Sequence, residues 1–380
     1  MNILVTGAKG FLGKNLTEAL KNIINGKDKR FSLSPDTNIF EYDTDSSIEE
    51  LDKYLKEADF VFNLAGVNRP LKESEFFDGN KDFVSLLIAA LEKHNNTCPI
   101  VLSSSIQAEL DNPYGRSKKA GENLLFEYAK KTGAKVYIYR FPNIFGKWSR
   151  PDYNSVVATF CHNISRGLPI TVNDEKHVLN LVYIDDAVDE LISAMLGRAN
   201  QEGNFCSVPI VHSVTLGRLS DLLYSFKETR GNLSVPDMSD DFTKKLYATY
   251  LSYLPEDKFS YPLKVNGDFR GSFTEIIRTP ERGQLSINII KPGITKGNHW
   301  HNTKNEKFLV VSGNGLIRFR KPGSSVVTEY SVSSEKLEVV DIPPGYTHSI
   351  VNTGKTDMAV LMWASECFDK ENPDTFYLEV

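Results

Sequence analysis

The chain changes texture near Tyr261, and that change limits its possible folds more than any other feature. Before it, short β-branched runs at Asn2–Thr6, Phe60–Leu64, Ile100–Ser104 and Val136–Arg140 alternate with helical stretches at Asn15–Asn22, Phe83–Lys93 and Ser117–Thr132. Such alternation implies βαβ units and a parallel, doubly wound α/β sheet of the Rossmann type. After it, the runs Gln284–Ile290, Lys307–Val311, Gly315–Phe319, Leu337–Ile342 and Met358–Trp363 are separated by Gly, Pro and Asn turns, the pattern of an all-β sandwich or barrel. The stretch Leu251–Asn266, with Pro255 and Pro262, reads as a connector. Two domains are expected, residues 1–245 and 246–380, as the 380-residue length also suggests.

Composition closes off several function classes. With 41% hydrophobic and 24% charged residues, the chain is ordinary globular material, and a net charge of −5 gives nucleic-acid binding no electrostatic support. Cys98, Cys161, Cys206 and Cys367 are far apart and read as buried, reduced thiols. The first residues enter a strand at once, unlike a signal peptide, and no apolar run approaches the roughly 18 residues a membrane span needs. A cytoplasmic protein with no membrane partner is expected.

Gly7, Gly10 and Gly13 follow the first strand directly and open the first helix, with Phe11 and Leu12 in its first turn. Glycines here let the backbone turn tightly and approach a pyrophosphate seated on the helix N-terminus, where N–H groups lack partners. Further on, Tyr114 and Lys118 stand four apart on a helix and so share a face, behind the serine run Ser103-Ser104-Ser105. An ammonium beside a phenol favours the phenolate, so Tyr114 is expected to have a lowered pKa and to donate a proton to a carbonyl near neutral pH.

On these residues, positions 1 to about 240 resemble an extended short-chain dehydrogenase/reductase. The resemblance implies that Leu64, Ala65 and Gly66 of Asn63-Leu-Ala-Gly66 join the glycine loop, Tyr114 and Lys118 in holding a nicotinamide cofactor. It implies a supporting role for Asn80 in proton relay, and a catalytic serine at Ser105, with Ser104 as the alternative. Asn143 of Arg140-Phe-Pro-Asn143 would line the substrate, and Tyr183-Ile-Asp185-Asp186 resembles the family's sugar-domain motif. The strand that selects NAD or NADP is hard to place. Asn38–Asp43 is one candidate, the alternative being that Asp43 and Asp45 belong to the next strand, and an Asp43 that met the ribose hydroxyls would favour NAD.

The later region carries a denser pattern: Gly293, five residues, His299-Trp-His301, four residues, Glu306, six residues, Gly313, then Pro343-Pro344-Gly345, two residues, His348. Strand periodicity puts His299 and His301 on one face. Three imidazoles and a carboxylate suit zinc or another first-row divalent ion with positions left open. Both spacings resemble the cupin signature, except that Leu337 stands where the second motif usually opens with glycine.

Asp268-Phe-Arg270-Gly271 through Glu275, Lys307-Phe-Leu-Val310 and Ile342 through His348 resemble the deoxysugar 3,5-epimerase cupins. That likeness implies that Arg270 and Glu275 hold a nucleotide-sugar and that His299 and Lys307 serve proton abstraction and enolate stabilisation. His299 also fits the metal set, so the proton carrier stays open.

Over its whole length the chain resembles the bifunctional reductase/epimerases of bacterial capsular polysaccharide synthesis on the route to UDP-N-acetyl-L-fucosamine. This implies a UDP-2-acetamido-2,6-dideoxy-4-ketohexose substrate, epimerisation at C3, reduction at C4 by NADPH to the L-talose sugar, zinc, and a homodimer. NAD in place of NADPH, and another divalent metal in place of zinc, stay open. Chemistry sets the order: removing the C3 proton needs the adjacent ketone, and reduction consumes it. The competing reading is a reductase whose metal barrel is a structural or dimerising module.

Overall fold

Strand β1 (Asn2–Thr6) runs parallel to β2 (Asn38–Tyr42) and β3 (Phe60–Asn63), with helices α1 (Phe11–Ile24) and α2 (Ile48–Glu57) as the crossovers. This computed structural model describes residues 1–70, 72–369 and 371–380. They form two compact units, Met1–Tyr224 with Asp240–Pro255, and Ser225–Ser239 with Glu256–Val380. The expected boundary at 245/246 falls inside a helix of the first unit.

The first unit continues through α3 (Ser74–Phe77), α4 (Phe83–Lys93), β4 (Ile100–Ser105), α5 (Pro113–Thr132), β5 (Val136–Phe141), β6 (Asn143–Phe145), α6 (Val156–Arg166), β7 (Val178–Tyr183) and α7 (Ile184–Met195). Then come β8 (Gln201–Glu202), β9 (Phe205–Cys206), β10 (His212–Thr215), α8 (Leu216–Asn232), whose later residues belong to the second unit, and α9 (Asp241–Ser252). The main sheet has the order β2-β1-β3-β4-β5-β9-β8, and a smaller one the order β10-β7-β6.

Strand alternation explains the two cores of the main sheet. Ile3, Val5, Phe60 and Phe62 pack with Leu16 and Leu20 of α1 and Val188 and Leu191 of α7. Leu4, Val61, Ile100 and Leu102 face the other way, onto Leu51 and Leu55 of α2, Leu87 of α4 and Leu125 of α5. A parallel sheet covered on both faces has continuous apolar strands, which is the pattern read in the sequence. Strand β2 falls at the candidate stretch Asn38–Asp43; it is hard to place because none of its residues is fully buried.

Helix α5 begins four residues before the predicted start. Asn112 caps it by accepting the Gly115 N–H at 2.7 Å, and Pro113 occupies the first turn, where a missing N–H costs nothing. This extra turn carries Tyr114.

The second unit is all β. Strands β11 (Val265–Asp268), β12 (Gly271–Thr279), β13 (Gly283–Ile290), β14 (Thr295–Trp300), β15 (Glu306–Ser312) and β16 (Asn314–Arg320) are followed by β17 (Val327–Ser333), β18 (Val339–Ile342), β19 (Thr347–Asn352), β20 (Met358–Ala364) and β21 (Phe376–Tyr377). They form two sheets, β11-β12-β13-β20-β15-β18 and β17-β16-β19-β14-β21. Both sheets contribute to one core, in which Phe308, Val310 and Val360 of the first meet Ile317, Phe319 and Ile350 of the second. The second unit is the expected cupin barrel, and the first holds the expected doubly wound sheet.

Candidate active site and metal centre

The glycine loop is shaped by close approach. Gly7 has φ 67°, and a Cβ there would lie 2.8 Å from the Ala65 amide nitrogen; a Cβ on Gly13 would lie 2.1 Å from the Gly7 carbonyl oxygen. Only glycine permits this path. Gly10 stands at the N-cap of α1 with no side-chain cap, so the first-turn N–H groups of Phe11, Leu12 and Gly13 have no carbonyl one turn below. Thr6 ties the two strand ends together: its hydroxyl donates to Asn63 Oδ1 at 2.8 Å and accepts from the Ala65 N–H at 3.3 Å. Leu64, Ala65 and Gly66 thus border the loop. An uncapped helix start beside a glycine-only turn fits the pyrophosphate of a dinucleotide.

Asp43 follows β2 directly, but it faces the loop. Its carboxylate accepts the Lys9 N–H at 2.8 Å and the Thr44 N–H at 2.8 Å, while the Lys9 ammonium pairs with Asp45.

The residues expected to transfer the proton converge at the end of β4 and the start of α5. Lys118 is fully buried and its ammonium donates to the Ser103 carbonyl at 3.1 Å. Asn80 lies in a π-helical turn, Asp78–Asp82, and all its bonds go to neighbours of the site. Its oxygen accepts from the Val67 N–H at 3.0 Å, and its amide donates to the Val67 carbonyl and the Ser117 hydroxyl, both at 3.0 Å. Ser117 in turn donates to the Tyr114 carbonyl at 2.8 Å. A Cβ on Gly66 would sit 2.8 Å from both Asn80 Oδ1 and Lys118 Nζ, so the loop after β3 abuts these two residues.

Strand alternation separates the two serine candidates. Ser104 is buried and donates to Glu122 at 2.5 Å, and Glu122 also takes two bonds from Arg140, at 3.0 and 2.7 Å. Ser105 faces the opposite way, toward the Tyr114 phenol. The expected lowering of the Tyr114 pKa is corrected: burial raises it, contact with Ser105 opposes the rise, and Lys118 Nζ stands 5.9 Å from the ring centre. Burial also pushes the Lys118 ammonium down to about 8 against the pull of Glu122. Asn143 is exposed at the start of β6; Asp185 pairs with Lys147 at 2.5 Å and Asp186 with Lys245 at 2.7 Å.

In the second unit a bulge sets the histidine register. Asn298 takes φ 58°, and the β14–β19 pairing shifts there so that His299 lies opposite His348. His299, His301, Glu306 and His348 bring one donor atom each within 4.8 Å of one another. Glu306 Oε2 lies 3.5 Å from His301 Nε2 and 3.3 Å from His348 Nε2. These are close approaches without hydrogen-bond geometry: Glu306 Oε2, His301 Nε2 and both nitrogens of His348 are buried without a hydrogen-bond partner.

Each buried polar atom left this way costs about 1–3 kcal/mol, which a cation at the common focus would offset for one donor atom of each residue. His301 Nδ1 lies against the Asp374 carbonyl, which only accepts, so Nδ1 carries the hydrogen and Nε2 keeps its lone pair. Burial and His348 push the His299 imidazole down to about 4, which keeps it neutral and able to ligate. The donor set fits a divalent ion.

Lys307 is corrected. It follows the inward-facing Glu306 on β15, so alternation turns it outward, where it is exposed and pairs with Asp341 at 2.5 Å. Arg270 is exposed and pairs with Asp268 at 2.6 Å, while Glu275 is half-buried beside Arg278 at 3.7 Å. Sequence reasoning also missed the polar inner face of β13. Gln284, Ser286 and Asn288 are buried at alternate positions, and Lys296 donates to Asn288 at 2.7 Å. The signal was legible as an alternation with its polar residues inward.

Comparison with known proteins agrees with both units. Residues 3–205 match the NAD dependent epimerase/dehydratase family, and residues 266–376 match the polysaccharide biosynthesis C-terminal domain. The chain is 42% identical over 380 residues to the UDP-2-acetamido-2,6-beta-L-arabino-hexul-4-ose reductase of Pseudomonas aeruginosa, covering 100% of this chain and 99% of that one. A crystal structure of the capsular polysaccharide assembling protein CapF from Staphylococcus aureus superposes with a TM-score of 0.92 at 54% identity, covering 100% of both chains. UDP-glucuronate 4-epimerase 1 of Arabidopsis thaliana matches at 27% over 243 residues, 53% of this chain and 56% of its own. With a catalytic unit of this form and a full-length relative of this identity, the chain belongs to the NAD dependent epimerase/dehydratase family, in the form that carries a polysaccharide biosynthesis C-terminal domain.

Proposed function

We propose that this chain reduces the C4 ketone of a UDP-activated 2-acetamido-2,6-dideoxy sugar in capsular polysaccharide assembly, after epimerising C3 in its own barrel. The observation that carries the reading is the end-to-end likeness to a hexul-4-ose reductase in a chain where Ser105, Tyr114, Lys118 and Asn80 converge.

NADPH, when bound, supplies the hydride that C4 receives. Tyr114 delivers the matching proton to the C4 oxygen, so ketone becomes alcohol. Lys118 holds positive charge beside the phenol, Ser105 orients the carbonyl, and Asn80 fixes the turn of α5 that carries Tyr114. NADPH rests on the likeness of the chain to its relatives; it is compatible with Asp43, whose carboxylate is taken up by the Lys9 N–H of the glycine loop.

In the barrel, His299, His301, Glu306 and His348 would hold a divalent ion, zinc by the chemistry of the donors. Such an ion, when bound, supplies Lewis-acid stabilisation of the enolate formed as C3 loses its proton, worth several kcal/mol. The proton carrier belongs among the inward residues, because Lys307 faces outward. Reduction removes the ketone and so traps the epimer.

The chain is further proposed to work as a homodimer in the cytoplasm. Among the described residues, no helix is long and apolar enough to cross a membrane. The test is to supply the UDP-4-ketosugar with NADPH to the full chain and follow products by NMR. The reading requires stoichiometric NADPH oxidation and a C3-inverted alcohol. Oxidation without inversion would leave a reductase with a structural barrel.

A further inference from the structure

The turn between His301 and Glu306 is held from outside its own strands. The Asp374 carboxylate accepts three consecutive backbone N–H groups, those of Asn302, Thr303 and Lys304, at 2.8, 2.8 and 2.9 Å, and the Thr303 hydroxyl at 3.2 Å. The carbonyl of the same residue accepts from His301 Nδ1. Lys304 then bonds the Thr375 hydroxyl at 3.1 Å.

Beyond Asp374 the segment lies along the histidine strands. Tyr377 pairs with His299 and Phe376 with Trp300 in the β14–β21 ladder, and the Trp300 and Phe376 ring centres are 4.9 Å apart. The Leu378 N–H donates to the Asn298 carbonyl at 3.0 Å, at the bulge that sets the His299 register. The Leu378 carbonyl accepts from the hydroxyl of Thr347, the residue before His348.

We infer that the segment Asp374–Val380 is a working part of the metal centre, with Asp374 as the positioning residue. Its carbonyl fixes the His301 tautomer and ring plane, and its carboxylate fixes the turn that delivers Glu306. His299, His301 and His348 are touched by this segment directly or through an adjacent residue, and Glu306 lies two residues beyond the clamped Lys304. Outer partners of this kind orient ligands and raise their basicity. The inference rests on the metal reading of the four donors, which the experiment tests separately.

Full-length protein, Asp374→Ala and the same-shaped Asp374→Asn are loaded with Zn2+ and competed against a chromogenic chelator, and loaded with Co2+ for visible absorption. Wild type is expected to hold one ion per chain. Asp374→Ala is expected to hold it about 10–100-fold more weakly, with a changed Co2+ spectrum. Asp374→Asn is expected to move in the same direction with unchanged circular dichroism and unchanged NADPH binding, which separates positioning from misfolding. Wild-type affinity and spectrum in both variants would overturn the inference. Absence of any bound ion in wild type would overturn the metal reading, and this inference with it.

Discussion

Around Lys118 the buried polar groups find partners within the protein, whereas around His348 they do not. In the first unit Lys118 donates to Ser103, Asn80 makes three bonds, and Glu122 is shared by Ser104 and Arg140. In the second, Glu306 Oε2, His301 Nε2 and both nitrogens of His348 lack a hydrogen-bond partner, and one nitrogen of that ring can face the donor focus. Satisfied burial rigidifies, and unsatisfied burial destabilises unless something else binds. The buried groups of the reductase site are therefore satisfied within the protein, while those of the barrel site are left for the proposed ion to satisfy. The two should respond differently to mutation and to chelation.

The largest expected effect is on the reductase site. Tyr114→Phe should lower NADPH oxidation by the ketosugar by about 10²–10⁴-fold while NADPH still binds, as followed by nicotinamide fluorescence. Unchanged turnover would break the assignment of the proton donor.

Chelation should strike the other unit. Where free ion stands about a thousandfold above its Kd, removing it costs about 4 kcal/mol, read as a lowered thermal transition. His348→Ala should show the same lowered transition before chelation and none of the response after it. A chelator-sensitive transition in that variant would contradict the donor set.

A smaller effect follows from burial of Lys118. Its pKa is pushed down to about 8, so the charged form is present below that value and lost above it. Reductase kcat/KM in the free enzyme should fall about tenfold per pH unit on that limb. Stability runs the other way. An unfolded lysine keeps its proton to about 10.4, so the unfolded chain binds more protons between about 8 and 10.4, and stability rises with pH across that window. Glu122→Gln, which removes the opposing charge, should move the kinetic limb to lower pH.

The smallest effect sharpens the contrast within the barrel. Lys307→Ala removes one member of an exposed pair with Asp341, so stability should change by under about 0.5 kcal/mol and bound metal not at all. Loss of C3 chemistry in Lys307→Ala would return that residue to the site.

These differences also mark what could be read from residues alone. Fold class followed from apolar alternation, because a sheet buried on both faces and a two-sheet barrel write different periods into the chain. The four donors were legible because their spacing is set by strand period and a short turn. Lys307 was placed by likeness, although its position next to Glu306 already turned it outward. The Tyr114 pKa could not be read, since burial by distant elements outweighs the neighbouring ammonium. Strand β2 was obscured by its half-exposed side chains. Asp374 was invisible, because it meets the His301 turn from 70 residues away through backbone atoms that carry no sequence signal.

The central claim is that one ketone serves two sites in turn, first acidifying C3 in the barrel and then accepting hydride. The direct measurement is solvent deuterium exchange at C3 of the UDP-4-ketosugar, with the full chain and no NADPH. The account predicts deuterium at C3 in the metal-loaded protein, lost on chelation and unaffected by Tyr114→Phe. No deuterium at C3 in protein that carries stoichiometric metal would contradict it.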